Sequence, residues 1–190
     1  DNMKHGFFGL GLGFTKSGKS TMAKACINSC GTYCGSFLGE SLKHDKNSGQ
    51  DEAAKNRWML ESKDKRMLFS NEINTKVLLN GNAIKKCAAR GDIIQGRSHY
   101  KSEVDFLPAF MCWIFANDLP AIDNLDDALM VRAQLFNYPL TFKERPTNLR
   151  ERKIDPNFTE ELQTKEFQDA FLHLIMDTYS SLHDEEGKAC

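Results

Sequence analysis

The run Gly13-Phe14-Thr15-Lys16-Ser17-Gly18-Lys19-Ser20-Thr21 has the spacing GxxxxGK[ST], and its chemistry is the wrapping of a polyphosphate. Successive main-chain N–H groups surround such an anion only where the chain turns tightly. Gly13 and Gly18 permit dihedrals and a close approach that a Cβ resists. Lys19 supplies a point charge for the β- and γ-phosphates, and Ser20, the first helical hydroxyl, suits Mg²⁺. With Thr15, Ser17 and Thr21 these residues make up the expected nucleotide-binding set. A helix starting here adds its dipole and its free N–H groups. Such a loop can also be a simple glycine-rich turn. Here, however, residues 7–12 read as a buried strand before it, and residues 21–27 as a helix after it that stops at Gly31.

Three more polar residues could complete a reaction. Glu72 follows the apolar run Met67-Leu68-Phe69, where a strand-end acid can polarise a water for attack on a γ-phosphate and share Mg²⁺ with Ser20. Many ATPases place an aspartate just before that acid. Here the position is Asn71, which shifts the expected metal ligation toward Ser20 and water. A strand-end acid also commonly caps a helix. Asn117, at the end of the apolar residues 109–116, could hydrogen-bond both the γ-phosphate and the attacking water, and asparagine before Asp118-Leu119-Pro120 is equally a good turn former. Arg132 sits on a short helical stretch, residues 126–133. Its guanidinium could reach a neighbouring subunit's nucleotide and neutralise charge in phosphoryl transfer, or it could be an ordinary surface ion-pair partner.

The elements that must position these groups follow from the pattern. Residues 32–38 read as a second strand, 39–50 as a polar exposed loop, 51–61 as a helix and 62–65 as a charged turn. Asn82 is expected to cap a helix through residue 89, stopped by Gly91, and residues 93–106 suggest a hairpin turning at 100–103. Residues 134–142 look like a strand. A basic, proline-containing connector, 143–157, leads to a terminal helix, 158–183, whose Phe167, Ala170, Phe171, Leu174, Ile175 and Thr178 recur as a core-facing stripe. No internal repeat is evident. The alternation implies a three-layer α/β fold with a mainly parallel sheet and the phosphate loop at its carboxyl edge, residues 1–190 forming one domain.

The chain has 190 residues and a net charge of −1, which excludes a uniformly basic nucleic-acid coat. Any nucleic-acid contact is expected from a local patch or from basic loops pooled by several subunits. No segment has the apolar length of a membrane span, and the N-terminus lacks the features of a signal peptide, so an intracellular protein with no membrane partner is expected. The start at Asp1 without methionine suggests a piece of something longer. Of six cysteines, Cys26, Cys30 and Cys34 fall at four-residue intervals, but there is no CxxC and no histidine nearby in sequence. They are expected to be reduced, with Cys26 and Cys30 as small core residues.

The order of motifs resembles the superfamily 3 helicases, in particular the poxvirus-type primase-helicase ATPase domain of large DNA viruses and phages. The likeness covers most of the chain. It rests on the phosphate loop, on Lys65-Arg66 through Asn71-Glu72, and on Ile84-Lys85-Lys86 through Arg90-Gly91-Asp92 to Arg97-Ser98-His99-Tyr100-Lys101. It continues through the strand that ends in Asn117-Asp118-Leu119-Pro120 and through residues 126–142 with Arg132. The resemblance implies a modified AAA+ ATPase whose subunits form a ring, usually a hexamer, with ATP and Mg²⁺ bound between them. Such a ring translocates on single-stranded DNA and unwinds forked DNA during viral genome replication, in the host cytoplasm or nucleus, alongside a primase or other flanking domains.

By the same resemblance Lys19 and Ser20 hold phosphate and Mg²⁺, Glu72 activates water, Asn117 senses the γ-phosphate and Arg132 acts in trans. His99 and Lys101 line the DNA channel, with Lys86 or Arg97 supporting their hairpin. A turn that carries imidazole, phenol and ammonium suits phosphate and sugar contacts, and turns of this kind are also often merely solvated. Two departures stand out: the bulky Phe14 and Lys16 in the loop, and the single acid of Asn71-Glu72. Two other readings remain open. One is a small-molecule or nucleotide kinase that uses residues 143–153 as a basic lid. The other is a weakly catalytic assembly module stabilised by nucleotide.

Overall fold

A computed structural model describes residues 6–44, 51–74, 76–89 and 91–183. Arg90 of the motif above and the end of the expected loop, residues 45–50, lie outside them. The apolar runs become β1 (Phe8–Leu12), β2 (Cys34–Phe37), β3 (Met67–Ile73), β4 (Ile94–Gly96), β5 (Val104–Phe106), β6 (Met111–Ala116), β7 (Ala133–Asn137), β8 (Thr141–Lys143) and β9 (Glu151–Lys153). Five of them form one sheet in the order β2-β3-β6-β1-β7, with every pair parallel. The inner strands are covered on both faces, and that is why they read as continuous apolar runs rather than alternating ones.

The helices are α1 (Lys19–Cys30), α2 (Glu52–Lys55), α3 (Arg57–Glu61), α4 (Gly81–Ala88), α5 (Asp127–Arg132), α6 (Phe158–Glu161) and α7 (Lys165–Leu182). On one face of the sheet Leu10, Leu68, Ile73 and Ile114 pack with Ile84 of α4 and Leu129 of α5. On the other, Phe69 and Phe115 pack with Ala23 and Cys26 of α1. Each such buried Leu, Ile or Phe contributes about 1.5–3 kcal/mol. The expected three-layer α/β fold with a parallel sheet is therefore present. Among the described residues no helix is long and apolar enough to cross a membrane.

Several local expectations are corrected. The helix expected over 51–61 is two helices meeting at Asn56, where ψ opens to 3° and the buried side-chain amide donates to Gln95 O (2.9 Å). Asn80, not Asn82, caps α4, its Oδ1 accepting from Ala83 N (3.0 Å). The strand expected over 134–142 breaks at Pro139, which has no N–H to give a ladder, and β8 pairs instead with β9 inside the expected connector 143–157. The helix expected over 158–183 is α6 and α7, because Thr164 starts a new helix by accepting from Phe167 N (3.2 Å). Its stripe is only partly covered: Phe171 is half-buried against the α1 cluster and the half-buried Phe167 stacks on it, whereas Ala170, Leu174, Ile175 and Thr178 are exposed. A helical period marks a face that wants cover, and here α1 reaches only its first half.

Candidate phosphate-binding and catalytic site

The loop between β1 and α1 is held at its start by Gly13 N donating to Ala116 O (3.3 Å). A Cβ on Gly13 would lie 2.6 Å from Tyr138 O, so only glycine fits there. Gly18 opens the helix at φ 93°, in the left-handed region where Cβ-bearing residues are strained, and Lys16 sits at φ 64° despite its side chain. Among the described residues the N–H groups of Thr15, Lys16, Gly18, Lys19, Ser20 and Thr21 have no backbone acceptor. Six donors along one turn and a helix N-terminus form an anion cradle, and the residues present fit a polyphosphate. Thr15 and Ser20 are exposed, Thr21 half-buried and Ser17 buried.

Lys19 is the hub. Its Nζ donates to Gly13 O, to Phe14 O (3.1 Å), to Ser17 Oγ (3.4 Å) and to Asn117 Oδ1 (3.2 Å), and lies 3.7 Å from Glu72 Oε1. The lysine is 6% exposed and the carboxylate 46%, so the cation is enclosed while the acid remains open to water. Lys19, Glu72 and Asn117, picked from sequence on three separate segments, are thus brought together.

An extra residue in β3 aims Glu72. Phe69 pairs with Trp113 but Glu72 pairs with Phe115, three steps on one strand against two on the other. Such a bulge inverts the alternation of side chains beyond it. Leu68 and Ile73 would face opposite sides in a regular strand, yet both lie in the α4-side core, which leaves Glu72 on the α1 side with Lys19. Ser70 patches the ladder: its buried Oγ accepts from Phe115 N (2.9 Å). Asn71 does not supply a metal ligand beside Glu72, because its Oδ1 accepts from Gly39 N (2.7 Å) and pins the turn after β2. That leaves Glu72 as the one acid of the pair beside Lys19.

Arg132 is placed apart from this hub. It ends α5, half-buried, and among the described residues makes no hydrogen bond or ion pair. α5 is capped by Asp126, whose side chain accepts from Leu129 N (3.0 Å) and from Lys85 Nζ (2.5 Å). That lysine holds the carboxyl below its usual range.

The expected hairpin is β4–β5, and His99 and Lys101 lie exposed in its turn beside a fully exposed Tyr100 at φ 58°. Lys86 and Arg97 sit lower. Lys86 pairs with Glu52 and lowers its pKa, and Arg97 pairs with Asp51 while its N–H donates to Ala53 O (2.9 Å). With the Asn56–Gln95 bond these interactions clamp the hairpin's root onto α2, and the tip projects freely.

Two nodes were not singled out from sequence. His44 pairs with Asp123, whose other oxygen accepts from Gly81 N (2.5 Å), stitching the loops that follow β2, β3 and β6. Glu151, buried in β9, accepts from Lys143 Nζ (2.5 Å), Thr147 N (2.7 Å) and Thr147 Oγ1 (3.0 Å). Neither lies in a recognisable spacing; the signal was only an acid placed among turn-forming residues. Of the cysteines, burial pushes Cys26 up to about 11 and Cys34 up to about 12, with Cys30 adding to both. No group of three His, Cys, Asp or Glu among the described residues could hold a metal ion.

Fold and site together define an α/β domain built around a phosphate loop. Over 176 residues, 89% of the chain, it is 35% identical to a Sputnik virophage protein described as "Putative helicase V13". The match spans 22% of that protein, so the chain is a homologue of about a fifth of its length. Among solved structures it shares the fold of the apo NrS-1 C-terminal region, residues 305–718, with a TM-score of 0.57 and 13% identity over 88% of this chain and 35% of that one. A second apo structure of the NrS-1 C-terminal region gives 0.54 and 12%, over 87% and 35%. No protein-family model matches.

Proposed function

We propose that this chain is the ATP-hydrolysing motor domain of a viral replicative helicase of the superfamily 3 type. The observation that carries the reading is the convergence of Lys19, Asn117 and Glu72 at the mouth of a six-donor cradle. The virophage relative, described as a putative helicase, adds support for a viral helicase, and the reading places it in viral genome replication, in the host cytoplasm or nucleus.

The cradle's N–H groups and Lys19 bind the polyphosphate of ATP, for which Nζ exchanges the carbonyls of Gly13 and Phe14. Ser20 and Glu72 would hold Mg²⁺, which would supply positive charge to offset that of the phosphates. Glu72 takes a proton from water on the side open to solvent, and Asn117 orients that water and reports on the terminal phosphate. Arg132, unpaired among the described residues of its own chain, serves a neighbouring subunit's site in a ring, expected to be hexameric, and flanking domains such as a primase belong to the longer protein. The projecting hairpin carries His99 and Lys101 to single-stranded or forked DNA, with Lys86 and Arg97 as its root.

The kinase reading needs residues 143–153 as a mobile lid, whereas the two ends of that segment are tied together by the pairing of β8 with β9. ATP turnover by the assembled protein, measured with and without single-stranded DNA, tests the proposal. Stimulation by DNA is expected, and phosphate transfer to a small acceptor instead of water would reject it.

A further inference from the structure

The phosphate loop is braced from outside by the segment that follows β7. Tyr138 N donates to Leu12 O (2.6 Å), and Tyr138 O faces Gly13 at the loop's entry. Four residues on, Phe142 N donates to Lys16 O (2.9 Å), and the Phe142 ring comes within 3.5 Å of where a Gly18 Cβ would stand. The two ends of the loop are thus held by the two ends of one short segment. Lys16 is also the loop residue that keeps a left-handed backbone despite its Cβ, a conformation that persists only where its surroundings impose it.

β8 has no place in the main sheet, and among the described residues its one strand partner is β9. A parallel pair normally needs a connection of about a dozen residues or more. Here the chain returns over residues 144–150, in a turn tied by Thr141 N to Arg150 O (2.9 Å) and by Ile154 N to Lys143 O (2.9 Å). Glu151 closes that turn from within. Its carboxylate joins Lys143 at the end of β8 to Thr147 in the connection, and Lys143 first and Thr147 second pull its pKa down to about 2.

We infer that residues 138–153 form a brace that presets the phosphate loop, with Glu151 as its positioning residue acting through β8 and Phe142 N on Lys16. Glu151 touches no nucleotide. Its effect is to keep the loop in a shape that binding would otherwise have to order, so that removing it weakens affinity rather than chemistry. The nucleotide arm of this inference rests on the proposed function; the loop-order arm does not.

The test compares Glu151→Gln with wild type by amide hydrogen exchange and by titration with a fluorescent ATP analogue. Exchange is expected to rise at Ser17, the loop amide that donates to Phe14 O, and across residues 141–153, which include the Phe142 N–H donated to Lys16 O, and to stay unchanged in β3 and β6. Removing a hydrogen bond to a charged group changes an equilibrium by about tenfold, so nucleotide affinity should fall by about that factor while kcat at saturation is kept. Faster exchange at 141–153 with an unchanged loop would overturn the brace, as would a uniform rise across the sheet, which marks global destabilisation only. If Glu151→Gln does not fold, Thr147→Val, which removes one of the carboxylate's bonds, is read by the same criteria. A wild-type chain that binds no nucleotide refutes the proposed function, and loop exchange still decides the brace.

Discussion

Glu72 Oε1 stands 3.7 Å from Lys19 Nζ because β3 holds one residue more than its partner strand between Phe69 and Glu72. A regular strand would turn that carboxylate to the α4 side of the sheet, away from the loop. The bulge couples a defect in pairing to the placement of the candidate base, and Ser70 and Asn71 each satisfy a backbone N–H that the arrangement needs. An unpaired buried N–H costs about 1–3 kcal/mol, which makes both side chains part of the aiming device.

Glu72→Gln keeps the shape but cannot accept the proton. Nucleotide affinity is expected to stay within a few-fold of wild type, while single-turnover hydrolysis falls by about a hundredfold or more. Equal hydrolysis in the two proteins would remove the catalytic role of Glu72.

Arg132 ends α5 without a partner among the described residues of its own chain, as a residue working across an interface would. Arg132→Ala should bind ATP and hydrolyse it poorly. Mixing it with Glu72→Gln should restore part of the turnover, since some interfaces then combine an intact arginine with an intact glutamate. Mixed rings without recovery would assign Arg132 a local role.

The hairpin tip and root should separate in experiment. Replacing His99 and Lys101 with alanine should weaken DNA binding, with DNA-free ATPase intact. The salt dependence of binding should flatten by about one unit of log–log slope for each phosphate-bound cation removed. Wild-type affinity and slope in the assembled double variant would return the turn to plain solvent.

Glu151 gives a pH signature. Its pKa is lowered from 4.5 to about 2 in the fold, so its stabilisation is complete above the unfolded value and is lost as pH falls through the folded one. The difference in urea midpoint between wild type and Glu151→Gln should be constant above about pH 5.5 and shrink toward zero as pH drops from 4.5 to about 2. A difference that does not change over that range would show that the carboxylate's charge is not what holds β9.

The parallel sheet, the loop and the two strand-end residues beside Lys19, Glu72 and Asn117, were legible because each leaves a local mark: a continuous apolar run, a fixed glycine spacing, a polar residue at a strand's end. What was not legible depends on partners distant in sequence. Nothing in Met67-Leu68-Phe69-Ser70 announces a bulge, since the extra residue exists only relative to β6. Asn71 reads in sequence as a weakened metal ligand, but its partner, Gly39, is far away in the chain. Asn80 and Asn82 are equally good caps by type, and tertiary placement chose between them. The α7 stripe shows that a face is apolar, not what would cover it.

The central claim is tested most directly by ATP turnover of the assembled protein, with and without single-stranded DNA, in wild type and Lys19→Ala. Wild type is expected to hydrolyse ATP faster when DNA is added, and Lys19→Ala to lose turnover in both conditions, because the charge facing the β- and γ-phosphates is gone. Turnover indifferent to DNA, or a Lys19→Ala variant as active as wild type, would contradict it.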